Sequence, residues 1–211
     1  MKKIQLILFV MLGGATSLLA QFQNATDGQK KEIVLKITQA SDEMNSMQCD
    51  FTQVKELSFM DDIITSEGKM SYKKTNKIRW EYIKPYQYIF SMDGSNIKVT
   101  QGDQTNTISA KQSKLFGEIS KVMVGGINGS GLVNSPDFET QFLVGGDIYM
   151  IVLTPSKKEM KDIFSTVQLY VGKSDFHIRS VELVEKSGDK TTITLKNVQL
   201  NVALKDEIFT Q

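Results

Sequence analysis

A single cysteine and a single histidine in 211 residues close off several kinds of chemistry at once. Cys49 has no partner for an intramolecular disulfide, and a lone thiol in an exported chain reads as a small buried core residue. Zinc sites draw on several His or Cys ligands, so no metal site is expected, and nothing in the composition points to a cofactor. His177 has no Gly-x-Ser-x-Gly elbow to work with, which removes the usual route to a hydrolase triad and leaves it a structural or exposed residue. The glycines at 125, 126, 129 and 131 lack the Lys-Ser or Lys-Thr of a phosphate loop and read as a linker. Asp61-Asp62, between apolar runs, reads as a solvated turn. No catalytic residues are expected, and the chain is read as a non-enzyme.

Charge of one sign is also missing. Twenty-five Lys and Arg against 24 Asp and Glu leave a net charge of +1, too little for phosphate-driven binding of nucleic acid. Beyond the N-terminus no stretch is apolar over the roughly 20 residues that a membrane helix needs. The N-terminus itself runs Met1-Lys2-Lys3, then apolar from Ile4 through Leu12, and ends on Ser17-Leu18-Leu19-Ala20, the pattern of a secretory signal peptide. Cleavage is expected between Ala20 and Gln21. Gln21 cannot be lipidated, so the product is expected to be soluble and exported, with residues 21–211 forming one domain.

What the chain does contain is periodicity. Thr26 with Gln29 forms a capping box ahead of Ile33, Val34, Ile37, Ala40 and Met44 at helical spacing. From Met47 the period becomes two: Met47, Cys49 and Phe51 share one face, and the alternation continues over 67–74, 77–82 and 86–92 up to an Asp93-Gly94 turn. Strands follow at 96–100 and 105–110. Leu115, Phe116, Ile119, Val122 and Met123 then return to helical spacing, before further strands at 138–144, 148–154, 166–171, 178–186 and 191–200. Short connections make these strands consecutive antiparallel neighbours. The expected architecture is mainly β (α+β): one meandering sheet of about ten or eleven strands, curled around an apolar interior that two helices cover.

Phe51-Thr52-Gln53, Glu67-Gly68-Lys69-Met70, Ile78-Arg79-Trp80-Glu81-Tyr82, Pro85 and Asp93-Gly94 together resemble, in order and spacing, the outer-membrane lipoprotein carrier (LolA) family. That family's pattern is a Phe-x-Gln, a Gly opening the second strand, an Arg-Trp with Pro five residues after the Trp, and a closing Asp-Gly. Asp189, the 191–197 segment, Asn201, Leu204 and Phe209 are similar to its last strand and Asn-x-x-Leu signature. The resemblance implies an unclosed antiparallel β-barrel with helices as a lid. It also implies a monomeric carrier in the periplasm, receiving acylated lipoproteins from an inner-membrane ABC lipoprotein-release transporter and delivering them to an outer-membrane acceptor lipoprotein. Three departures stand out. Where the family has Arg-Pro after the second strand, its arginine holding the lid shut, this chain has Lys74-Thr75, and lysine lacks the planar fork that makes several fixed bonds. Ile97-Lys98-Val99-Thr100 replaces an aromatic stretch, and the sequence ends at Gln211 without a proline-containing tail.

On this reading Phe51, Ile78, Trp80, Phe90 and Met92 line the lipid cavity, and Leu115, Ile119, Met123 and Lys74 belong to the lid. Ten methionines alongside the aromatic residues suit a wall that repacks around chains of different length. Periodicity alone favours reading the same residues as ordinary core, and it is the resemblance that tips them to the cavity. A carrier of another lipid on the same fold, and a half-barrel sensor module, are the competing functions.

Overall fold

The computed structural model describes residues 22–59, 62–74, 77–94, 96–109, 125, 130–133 and 135–210. The helix expected over Leu115 to Met123, the signal peptide, Asp61 and Thr75 lie outside them. Among the described residues, no helix is long and apolar enough to cross a membrane.

The first helix, α1 (Asp27–Glu43), starts where the capping box places it. The Gln29 N–H donates to Thr26 Oγ1 at 3.3 Å and the Thr26 N–H donates to Gln29 Oε1 at 2.9 Å, so two of the donors orphaned at a helix start are satisfied. Ile33 and Ile37 are buried one turn apart, while Leu35 on the opposite side is exposed.

Twelve strands form one sheet: β1 (Gln23–Asn24), β2 (Ser46–Glu56), β3 (Ile63–Lys73), β4 (Lys77–Lys84), β5 (Tyr88–Asp93), β6 (Asn96–Gln101), β7 (Gln104–Ser109), β8 (Phe138–Gly145), β9 (Ile148–Pro155), β10 (Phe164–Gly172), β11 (Ile178–Glu185) and β12 (Lys190–Leu200). Their order is β1-β8-β9-β10-β11-β12-β2-β3-β4-β5-β6-β7, so every neighbour but β1–β8 and β12–β2 is a sequential antiparallel pair. The edges β1 and β7 do not pair, and the barrel stays unclosed. The twelfth strand, β1, is two residues long and pairs with β8, too short for any period to reveal it. Tyr86, which alternation assigns to a strand, instead lies in the turn between β4 and β5 after a cis Lys84–Pro85 bond. Two further one-turn helices, α2 (Ser130–Val133) and α3 (Lys158–Lys161), and a 3₁₀ turn over Asp206–Phe209 are likewise too short to announce themselves.

Directly paired residues point to the same face of a sheet, so the register identifies the inner side. Phe142, Ile151, Leu169, Val181 and Ile193 form one row across β8 to β12, and Ile33 and Ile37 of α1 join the core built on it. The second core lies on the other half of the same face, on β2 to β6. The outer face of these strands carries Lys69, Ser71 and Lys73 of β3, Lys77, Arg79 and Glu81 of β4, Ser91 and Asp93 of β5 and Lys98 of β6. There the C-terminal segment crosses the sheet: Lys73 Nζ donates to the Leu204 carbonyl at 3.0 Å and to Asp206 at 2.6 Å, and Arg79 Nη1 donates to the Ile208 carbonyl at 3.2 Å. Phe209, in the 3₁₀ turn of this strap, is buried and belongs to neither inner core cluster.

Candidate functional site

The second core is built in rows. Cys49, Met70, Trp80, Phe90 and Val99 are successive cross-strand partners from β2 to β6; Met47, Tyr72, Ile78, Met92 and Ile97 form the row beside it. A third row runs Leu195, Phe51, Gly68, Tyr82, Tyr88. No charged residue stands in any of the three. All five residues expected to line a cavity (Phe51, Ile78, Trp80, Phe90 and Met92) therefore meet on one face of adjoining strands, Trp80 opposite Phe90 and Ile78 opposite Met92.

Gly68, expected to open the second strand of the motif, lies in the middle of β3, which begins at Ile63, and packing explains why it is glycine. A Cβ there would lie 2.0 Å from the Glu81 carbonyl oxygen and 2.7 Å from the Phe51 ring, so the position must be bare for Phe51 to lie across β3. The ring then packs 4.9 Å from Trp80 and edge-on to Tyr82 at 5.0 Å. The Gln of Phe-x-Gln is equally specific: Tyr82 Oη donates to Gln53 Oε1 at 2.8 Å. Tyr82 also stacks on Tyr88 with centroids 4.2 Å apart, and burial, then the neighbouring Tyr88, pushes its hydroxyl pKa far above the ordinary tyrosine value. Tyr82 and Tyr88 fall on the inner face by alternation, but nothing in the spacing announced the bond from Tyr82 to Gln53. A cleft of about 260 Å³ opens beside them, lined by Glu81, Tyr82, Ile83, Tyr88, Ile89 and Thr100. A larger cleft of about 500 Å³ lies at the opposite half of the sheet among Asp147, Lys173, Ser174 and Arg179, and shares no residue with the wall.

Arg79 and Glu81, flanking Trp80, point to the outer face. Arg79 Nε donates to Glu81 at 3.2 Å while its Nη1 holds the C-terminal strap, so the Arg-Trp-Glu triplet serves both faces at once. Asn201 adopts φ 55° and ties the end of α1 to β2: its Nδ2 donates to the Glu43 carbonyl at 3.2 Å and its Oδ1 accepts from the Asn45 N–H at 2.8 Å. Lys74 Nζ donates to the Asp42 carbonyl in the last turn of α1 at 2.8 Å, where a cation meets the negative end of the helix. Leu115, Ile119 and Met123 fall outside the described residues.

Cys49 is buried, and burial followed by the charge of Asp50 pushes its thiol up to about 12, which leaves it inert as a nucleophile. His177 sits half-buried just before β11, with its pKa lowered chiefly by burial. Among the described residues, no group of three or more His, Cys, Asp or Glu is placed to hold a metal ion.

At one rim the sheet ends in exposed apolar side chains. Glu67 of β3 pairs with Lys84 of β4, so the start of β3 and the end of β4 share that rim, which carries Ile63, Ile64 and Ile83 together with Phe59 and Tyr86, the last two each 74% exposed. The β2–β3 turn is fixed in place: Asp189 accepts from the Ser58 N–H and from its hydroxyl, both at 2.8 Å.

The model of the family described as outer membrane lipoprotein carrier protein LolA matches residues 42–211. The chain belongs to the LolA family. Its LolA match takes in every strand from β2 to β12 and the C-terminal strap. The outer-membrane lipoprotein carrier protein of Xanthomonas oryzae pv. oryzae is 27% identical over 145 residues, 68% of this chain and 66% of that protein. That of Pseudomonas putida is 20% identical over 177 residues, 84% of this chain and 82% of its own. The chain thus spans just under two thirds of the first relative. The crystal structure of an uncharacterized conserved protein from Thermus thermophilus shares the fold, with a TM-score of 0.53 over 87% of this chain and 93% of that one at 8% identity.

Proposed function

We propose that this LolA-family chain is a periplasmic carrier that shelters the acyl chains of lipoproteins on the inner face of β2 to β6. The observation that carries this reading is the convergence of Phe51, Ile78, Trp80, Phe90 and Met92 on one uncharged face. Each methylene kept from water is worth roughly 0.8 kcal/mol, so a chain of about fifteen needs about 12 kcal/mol of shelter to cross the periplasm. Methionines at 47, 70 and 92 give that wall an adaptable surface.

In this reading export removes residues 1–20, and residues 21–211 act as one monomeric domain. An inner-membrane ABC transporter loads it and an outer-membrane acceptor lipoprotein unloads it. The exposed apolar rim around Phe59 and Tyr86 supports a docking end, because apolar patches on soluble proteins mark interaction sites. Leu115, Ile119 and Met123 with Lys74 form the lid, held by a single ammonium rather than a guanidinium fork.

The test is carrier-dependent release of a lipoprotein from inner-membrane vesicles. Release is expected with the wild-type chain and slower release with Lys74→Arg, because a firmer latch leaves cargo more closure energy to overcome. Failure of the wild-type chain to release any lipoprotein contradicts the carrier assignment. Unchanged release with Lys74→Arg removes Lys74 from the lid.

A further inference from the structure

Trp80 is 6% exposed, set in the wall between Met70 and Phe90 with Phe51 against its ring. Its indole Nε1–H has no hydrogen-bond acceptor, and it is the one buried side-chain nitrogen or oxygen among the described residues in that condition. Buried side-chain polar groups elsewhere among the described residues are provided for: Tyr82 on the same strand and face reaches Gln53, and Ser46 donates to the Val202 carbonyl. A buried indole N–H normally finds an acceptor, because a donor stripped of water and left unpaired is costly. The cross-strand neighbours of Trp80 are a thioether and a phenyl ring, which offer no strong one. Phenylalanine or leucine would fill an apolar wall without this penalty.

We propose that Trp80 Nε1–H is a ligand-binding donor that bonds the carbonyl oxygen of an acyl ester or amide. This deepens the acyl-carrier reading and rests on it. The carbonyl is the one strong acceptor that an acyl chain brings into an apolar cavity, at the junction of hydrocarbon and head. Inside the wall it loses its water, as Trp80 already has, so one bond satisfies two groups that are otherwise unpaired. The site then selects carbonyl-linked chains over hydrocarbon or ether-linked chains of equal length, and fixes how deep the head enters.

The protein has one tryptophan, so its emission reports on Trp80 alone. The mature protein is titrated with a long-chain monoacylglycerol, an N-acyl ethanolamine of the same chain length, and the matching alkyl glycerol ether. The ester and the amide are expected to bind about tenfold tighter than the ether, the scale of one buried hydrogen bond, and to shift the emission to the red relative to the ether complex. Trp80→Phe, its fold checked by circular dichroism, is expected to bring the three affinities within about twofold of one another. Equal binding of ester and ether by the wild-type protein, with equal emission, overturns the proposal without needing the variant. So does an equal loss for all three probes in Trp80→Phe, which marks the ring as packing only. If none of the three binds the wild-type protein, the acyl-carrier reading itself falls and this donor role with it.

Discussion

Gly68→Ala adds one methyl group and is expected to be among the most damaging single changes in the sheet. The new Cβ meets the Glu81 carbonyl oxygen at 2.0 Å and two carbons of the Phe51 ring at 2.7 Å, and a backbone carbonyl cannot step aside as a side-chain tip does. Overpacking typically costs about 1–3 kcal/mol. Displacing the Phe51 ring from Trp80 and Tyr82 forfeits part of the roughly 2 kcal/mol that burying such a side chain contributes. A total of about 4 kcal/mol should lower the melting temperature of a domain this size by about 10 °C. Gly94→Ala is the natural comparison: nothing lies within 4 Å of its Cβ, and only its φ of +64° is strained, so about 1 kcal/mol is expected. Thermal melts by circular dichroism decide the matter, with Trp80 emission expected to shift to the red in Gly68→Ala as the Phe51 ring withdraws. Adding Phe51→Leu should restore part of the loss, since it relieves the ring contact but leaves the carbonyl. A Gly68→Ala protein that melts within about 2 °C of wild type refutes the packing argument.

Phe90→Glu, which puts a carboxylate into the wall opposite Trp80, should abolish the fluorescence rise of an environment-sensitive apolar dye while leaving the far-ultraviolet spectrum intact; an unfolded variant would make Phe90 plain core. Asp189 is held below its ordinary value of 3.8 chiefly by the Ser58 N–H and then by the Ser58 hydroxyl, and Asp206 below the same value by hydrogen bonds from Lys73 and then Lys77. Depressed carboxyls stabilise the fold above their unfolded-state pKa and lose that contribution as pH falls through the folded value. The melting temperature should therefore drop on acidification below about pH 4, with a shallower drop in the Asp189→Asn, Asp206→Asn double variant, and identical acid limbs would contradict this. N-terminal sequencing of the exported protein should begin at Gln21; a retained leader contradicts the export assignment.

Much of this was legible because the period of two is strict where one face is buried. Met47, Cys49 and Phe51 announced β2, and Ile78, Trp80 and Tyr82 announced β4, so the register placed the proposed wall residues together. Alternation failed at Tyr86, where the Tyr-x-Tyr-x-Phe-x-Met run extends past the strand into a turn that carries no hydrogen-bond ladder. Ile63 and Ile64 are consecutive and exposed, which hid the first residues of β3. The strap was illegible for a different reason: Lys73 meets Asp206 and Arg79 meets the Ile208 carbonyl across more than 120 residues, and charges on an outer face look like ordinary solvated residues until the chain returns to them. The orphaned donor of Trp80 is likewise a property of its surroundings. Tryptophan on an apolar face is read as bulk, and only the contacts around it show that the N–H is unanswered.

The central claim, that the inner face of β2 to β6 holds acyl chains, is tested most directly by native mass spectrometry of the protein purified without detergent and mixed with a triacylated lipopeptide. A one-to-one complex is expected with the wild-type chain and none with Phe90→Glu, while the deacylated peptide binds neither. Equal binding of the acylated and deacylated peptides, or a complex that survives Phe90→Glu in a folded protein, would contradict the account.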